Sequence, residues 1–189
     1  MELINNDLVK GSSGRIGDQL VYRQRGGKTI IAKRPRPKTK PDTTGQIATR
    51  ELFYNAVLYA KTVIANEATK AIYQAKTQGN QTAYNLAVSD FCKAPEIKLC
   101  NSSDYTGLVG QVISIRATDD FKVESVRLEI NDGSNAAIEE GAAVLGTNGV
   151  DWIYTTTAAN ALLEGTKLVV SAADIPGNIT QKEFILSIA

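Results

Sequence analysis

Histidine is absent from this chain of 189 residues, which removes the commonest general base and the commonest metal ligand from its chemistry. Cysteine is nearly absent. Cys92 and Cys100 are separated by seven residues with Pro95 between them, a spacing that fits no zinc motif, and nothing in the chain indicates an oxidising compartment. They are read as two free, buried thiols, with pairing left open. Long apolar runs are missing too: no window approaches the roughly 18 residues of a membrane-spanning helix. The segment from Met1 to Asp7 has neither a basic leader nor an apolar h-region, so the expectation is a soluble chain made in the cytoplasm.

Proline is scarce, with 5 in all, yet Pro35, Pro37 and Pro41 fall together. They punctuate a basic segment, 26–41, that reads as an extended arm able neither to form a helix nor to sit inside a sheet. Proline fixes φ and has no amide hydrogen, and it pushes the preceding Arg34, Arg36 and Lys40 toward extended geometry. At roughly 3 Å per residue such a segment reaches about 50 Å, farther than a domain of this size needs to close on itself. An arm of that length suits a neighbouring subunit. The candidate partner-binding residues are Lys28, Lys33, Arg34, Arg36, Lys38 and Lys40.

The net charge of +1 conceals an asymmetry. Over residues 1–50, eleven cations face four carboxylates, a balance of +7; over 95–189, six cations face thirteen carboxylates, a balance of −7. A basic end and an acidic end favour head-to-tail contacts between copies, or an acidic partner for the arm.

Periodicity divides the chain into three parts and predicts an α+β, multi-part fold. Residues 1–42 read as an N-terminal β-hairpin, with strands at Gln19–Arg23 and Lys28–Ala32 around Gly26-Gly27, followed by the docking arm. A lone hairpin is marginal in water and needs a third strand or another chain. Residues 43–94 read as a helical section. Leu52, Phe53, Ala56, Val57, Ala60, Val63 and Ile64 recur at helical spacing, with Asp42, Thr43 or Thr44 available as cap. A second helix is expected from Glu67 to Lys76, and a third after Asn80 or Thr82, carrying Tyr84, Ala87, Val88 and Phe91 on one face. Residues 95–189 turn to period two. Ile113/Ile115/Ala117, Val126/Leu128/Ile130 and Phe184/Leu186/Ile188 alternate with more polar neighbours, and Trp152, the single tryptophan, is expected to be largely buried in a strand. Six or seven strands between Asn131–Asn135, Gly146–Gly149 and Pro176–Asn178 have the rhythm of an all-β immunoglobulin-like sandwich.

Chemical motifs are weak by comparison. Gly27-Lys28-Thr29 ends like a phosphate-binding loop, but Tyr22 stands where that loop needs glycine and a strand follows where it needs a helix. Gly11, Gly14 and Gly17 likewise have no strand before them and no helix after them. Asp104, Asp119, Asp120 and Asp174 lie at predicted strand ends, where carboxylates could converge on calcium. No EF-hand loop is present, and they are read as turn residues accepting backbone amides. Without histidine or a nucleophile motif the chain is read as no enzyme, with no catalytic residue, cofactor or metal ligand assigned. The sequons at Asn80, Asn101 and Asn178 are chance matches in the absence of a signal segment. Nucleic acid is an open partner for the arm through phosphate neutralisation, although Tyr22 alone is near it for base stacking.

The segments 113–126 (ISIRATDDFKVESV) and 172–180 (AADIPGNIT) resemble the signatures of bacterial immunoglobulin-like modules, which serve as spacers, adhesins and virion decorations alike. Gly14-Arg15-Ile16-Gly17, Thr44-Gly45-Gln46 with Arg50 and Phe53, and Ala83–Ala87 (AYNLA) are similar to a family of Bacteroidota and their phages to which no functional residues are assigned. These resemblances imply a virion structural protein, most plausibly an auxiliary or decoration protein of a tailed-phage capsid, assembled in the bacterial cytoplasm. Such a protein would dock on capsid or other virion subunits in multiple copies through its arm, without membrane involvement. The alternatives are a bacterial interaction or adhesion module and a nucleic-acid-binding protein.

Overall fold

The structure, a computed structural model, describes residues 2–4 as backbone and 9–35, 37 and 39–186 in full. It is α+β, with three helices and three antiparallel sheets among the described residues. Two compact units are present: Met1–Glu51 with Gln78–Gln81, and Leu52–Thr77 with Thr82–Ala189. Most of the expected helical section thus belongs to the same unit as the C-terminal strands.

In the first unit, β1 (Glu2–Ile4), β2 (Gly14–Ile16), β3 (Leu20–Arg25) and β4 (Lys28–Lys33) form one sheet in the order β1-β4-β3-β2. Gly26 and Gly27 adopt φ of 57° and 73°, the left-handed pair that a two-residue hairpin turn requires. The dependence of the hairpin on further strands is met within the chain, by β1 beside β4 and β2 beside β3. The hairpin strand expected at Lys28–Ala32 is present within β4, so the expectation that the whole of 26–41 lies outside a sheet is corrected here. Lys28–Lys33 is a strand with partners on both sides, because the first proline comes only at Pro35 and every amide before it is free to join the ladder. Arg34 N still donates to Gln19 O at 2.9 Å, and regular pairing stops there.

Helix α1 (Thr44–Ala65) opens on Thr43. Thr43 Oγ1 accepts from Gln46 N at 3.4 Å while Gln46 Oε1 accepts from Thr43 N at 3.1 Å, a reciprocal capping box. The expected apolar stripe is buried only from Ala56 onward, through Ala60 and Val63; Leu52 and Phe53 lie on the same side but are exposed. Helix α2 (Glu67–Gln74) is capped by Asn66, and α3 (Ala83–Phe91) by Thr82, whose Oγ1 accepts from Asn85 N at 3.2 Å. The buried side of α3 is Ala83, Ala87 and Asp90, while Tyr84, Val88 and Phe91 are half-buried. These helices share a small core with Phe121 and Ile175, which stand in connections between strands.

Eight strands follow: β5 (Glu96–Asn101), β6 (Val112–Thr118), β7 (Val123–Asn131), β8 (Ala137–Ala142), β9 (Val144–Leu145), β10 (Asp151–Thr155), β11 (Lys167–Asp174) and β12 (Ile179–Ile185). They make two sheets, β5-β6-β10-β9 and β12-β11-β7-β8. Alternation in β6, β7 and β11 points Ile113, Ile115, Ala117, Val126, Leu128, Ile130, Leu168, Val170 and Ala172 into one apolar core common to both sheets. At about 25 cal/mol per Å², burying each of the larger of these side chains contributes about 2 kcal/mol. Phe184 and Leu186 pack at its edge, and Ile188 lies outside the described residues. Trp152 is half-buried rather than largely buried. It faces Ile115 on one side, but its other neighbour, Leu145, belongs to a two-residue edge strand and is itself exposed. Cys92 and Cys100 are both free and half-buried, and burial pushes the Cys100 thiol up to about 11.

Candidate functional site

Two places in the molecule concentrate chemistry, one in each unit. The first is a face of the N-terminal sheet. Side chains alternate along a strand, and directly opposed residues share a face. The register pairs Arg15 with Val21, Arg23 with Ile30 and Arg25 with Lys28, so Arg15, Arg23, Arg25 and Lys28 lie on the same side. All four are exposed, and none makes an ion pair among the described residues. The half-buried ring of Tyr22 belongs to the opposite face, opposed by Ile31. On that face Thr29 is buried, and its Oγ1 accepts from Gly11 N at 3.1 Å and Gln24 Nε2 at 2.8 Å.

The six arm residues are spread over different environments. Lys28 joins the cationic face, while Lys33 lies opposite Leu20 at the end of β4 on the other face. Arg34 is paired with Asp18, and with Lys33, Pro35 and Pro37 it lines an open groove of about 1020 Å³. Lys40 is exposed outside any strand. Arg36 and Lys38 lie outside the described residues. Arg15, Arg23 and Arg25 are not among the expected partner-binding residues, because only the register of β2, β3 and β4 brings them onto one face with Lys28. The signal was partial: Arg23 closes the predicted strand Gln19–Arg23 and Arg25 follows two positions later, beyond its predicted end, where β3 continues. A further exposed feature is apolar: α1 leaves Phe53 57 % and Tyr54 63 % accessible.

The second place is a cluster of carboxylates. Asp90 of α3, Asp119 after β6 and Asp174 at the end of β11 each bring an oxygen within 4.8 Å of the other two. The turn reading of Asp119 and Asp174 holds: Asp119 Oδ2 accepts from Phe121 N and Lys122 N, and Asp174 Oδ1 from Gly177 N and Asn178 N. The structure adds that these turns converge, and that Asp90 meets them. Asp90 is 2 % exposed. Its Oδ2 accepts from the Tyr73 hydroxyl at 2.5 Å, which in turn bonds the Tyr59 hydroxyl at 2.8 Å. Burial pushes the Asp90 carboxyl up to about 6, against the pull of the Tyr73 hydrogen bond. Asp104 and Asp120 do not join the cluster; Asp120 pairs with Lys93 on the surface. Apolar spacing could not have found Asp90, because at i+7 from Ala83 it occupies a position where periodicity predicts a hydrophobic residue.

Comparison with known proteins finds no matching family model and no matching curated protein. Among the described residues no helix is long and apolar enough to cross a membrane.

Proposed function

We propose that this chain is a structural protein of a phage-like particle, an auxiliary or decoration protein that docks through its N-terminal unit and displays an immunoglobulin-like domain. The observation that carries the docking half is the set of four exposed cations on one face of the small N-terminal sheet, none of them in an ion pair among the described residues. Like charges gathered without partners cost free energy in the isolated chain, and a complementary acidic surface removes that cost.

Support for the immunoglobulin-like reading of 96–185 lies in strand order. Naming β5 to β12 as A, B, C, C′, D, E, F and G turns the two sheets into A-B-E-D and G-F-C-C′, the immunoglobulin arrangement of ABED against GFC with a C′ strand added. That architecture leaves ligand and partner open, so the docking face carries the functional weight.

The test is a double charge reversal, Arg23→Glu with Arg25→Glu, in the full chain. Incorporation into particles should fall at least tenfold while the main thermal transition stays in place. Incorporation at the unaltered level would overturn the docking assignment. The same protein titrated with duplex DNA separates the nucleic-acid reading: a steep fall of affinity with salt that vanishes in the double variant would favour phosphate as the natural partner.

A further inference from the structure

We propose that Asp90, Asp119 and Asp174 hold a calcium ion that ties α3 to the two strand connections beside it. This inference rests on the second unit alone and is independent of any role in a particle.

The first observation is geometric. Three carboxylates from segments far apart in sequence place one oxygen each within 4.8 Å of one another. Two oxygens on one ion can be separated by no more than about twice the metal–oxygen distance. Calcium accepts six to eight oxygens at about 2.3–2.6 Å in flexible geometry, whereas magnesium demands a near-ideal octahedron at about 2.0–2.1 Å and keeps several waters, so a cluster assembled from a helix and two turns suits calcium better.

The second observation concerns what the oxygens lack. Asp90 Oδ1 and Asp119 Oδ1 are both buried and accept no hydrogen bond, although every other oxygen of the three carboxylates is bonded. A buried carboxylate oxygen with no donor carries its full desolvation cost. Here two such oxygens belong to one cluster, one of them on a side chain 98 % removed from solvent by the 2 % exposure of Asp90. A turn role explains Asp119 Oδ2 and both oxygens of Asp174, and it leaves these two atoms unexplained. A divalent cation satisfies both at once.

The charge count points the same way. The cation that acts on Asp90 is Lys76, and its Nζ is already engaged by Phe121 O and lies 4.4 Å from the Phe121 ring. Lys93 also acts on Asp119 but is already paired with Asp120, and three carboxylates facing two cations that are both engaged elsewhere leave an excess of negative charge in a site of low exposure, which is costly unless an ion compensates it. All of the donors are hard oxygens, with neither imidazole nor thiolate among them, and that donor set selects calcium or magnesium over transition metals. An approach from solvent exists on the Asp119 side, where an open pocket of about 490 Å³ is lined by Lys93, Thr118, Asp119 and Asp120. Asn178 already couples the same elements, its Nδ2 lying 3.2 Å from Phe91 O and 2.7 Å from Asp174 Oδ2. The ion would complete that link with three charged ligands.

The experiment uses the full chain at neutral pH, treated with EDTA and dialysed. Calcium at a hundredfold excess over its Kd should raise the melting temperature by about 5–10 °C, and magnesium at the same concentration should raise it much less. Terbium provides a second readout. Bound beside Asp90 it lies next to the Tyr73 ring and should show tyrosine-sensitised emission that calcium displaces. Asp119→Asn keeps an oxygen for the Phe121 and Lys122 amides but removes the charge, so it should fold and lose both responses. No calcium shift and no terbium emission in the unaltered protein, or full responses retained in Asp119→Asn, would overturn the site. An equal shift with magnesium would overturn the choice of calcium.

Discussion

The N-terminal sheet and the paired C-terminal sheets obey the same local rules and finish with very different amounts of covered apolar surface. Both are antiparallel, both place glycine or asparagine at left-handed turn positions, and both alternate along their strands. In the paired sheets the alternation is met by a second layer, and thirteen buried residues form one core. In the N-terminal unit Ile30 is the one buried apolar side chain among the described residues, and the face it shares with Arg15, Arg23, Arg25 and Lys28 carries cations where the other sheets carry isoleucine and valine. Pattern alone therefore builds a sheet, and a second apolar layer makes it stable.

The largest effect is expected from removing a core side chain of the paired C-terminal sheets. Ile115 is fully buried, and Ile115→Ala should cost about 2–5 kcal/mol, seen as a melting temperature lowered by roughly 5–15 °C. Ile30→Ala, in the thin sheet, should leave the main transition within about 2 °C. Equal effects of the two would erase the distinction.

Next in size is thiol reactivity. Burial holds the Cys100 thiol near 11, about two units above a free cysteine. Its alkylation at pH 8 should therefore run on the order of a hundredfold slower than in the urea-unfolded chain, because the thiolate is the nucleophile. A smaller effect belongs to the hairpin. Gly26 and Gly27 sit at positive φ, so Gly27→Ala should cost about 1–2 kcal/mol, confined to faster amide exchange in β3 and β4, with the main transition unmoved.

What could be read from the sequence follows the same division. Strands β6 and β7 were legible because Ile113, Ile115, Val126 and Leu128 face a core and so alternate strictly. The edge strands β8 and β9 were not, since Ala137–Ala142 carries two glutamates and Val144–Leu145 is too short for a period. The Gly26-Gly27 turn was legible from local conformation. The extent of the arm was not, because proline governs its own residue and the one before it, and says nothing about Lys28–Ala32. Asp119 and Asp174 were visible as turn residues, but their meeting with Asp90 depends on how α3 packs on Phe121, a contact between residues about 30 apart in sequence that no local pattern encodes. The cationic face was visible in principle, as a charge at alternate positions of β3, and became evident only once the register placed Arg15 and Lys28 beside it.

If the N-terminal sheet is the proposed docking element, amide hydrogen exchange on the full chain, free and within purified particles, separates it from the core strands. In the free chain, residues 14–33 should exchange orders of magnitude faster than 112–130 and 167–174. In the particle, protection should appear over 14–33 while the core strands stay as they were. Protection over 14–33 that already matches the core strands in the free chain, and does not change on assembly, would mean that the sheet is complete without a partner.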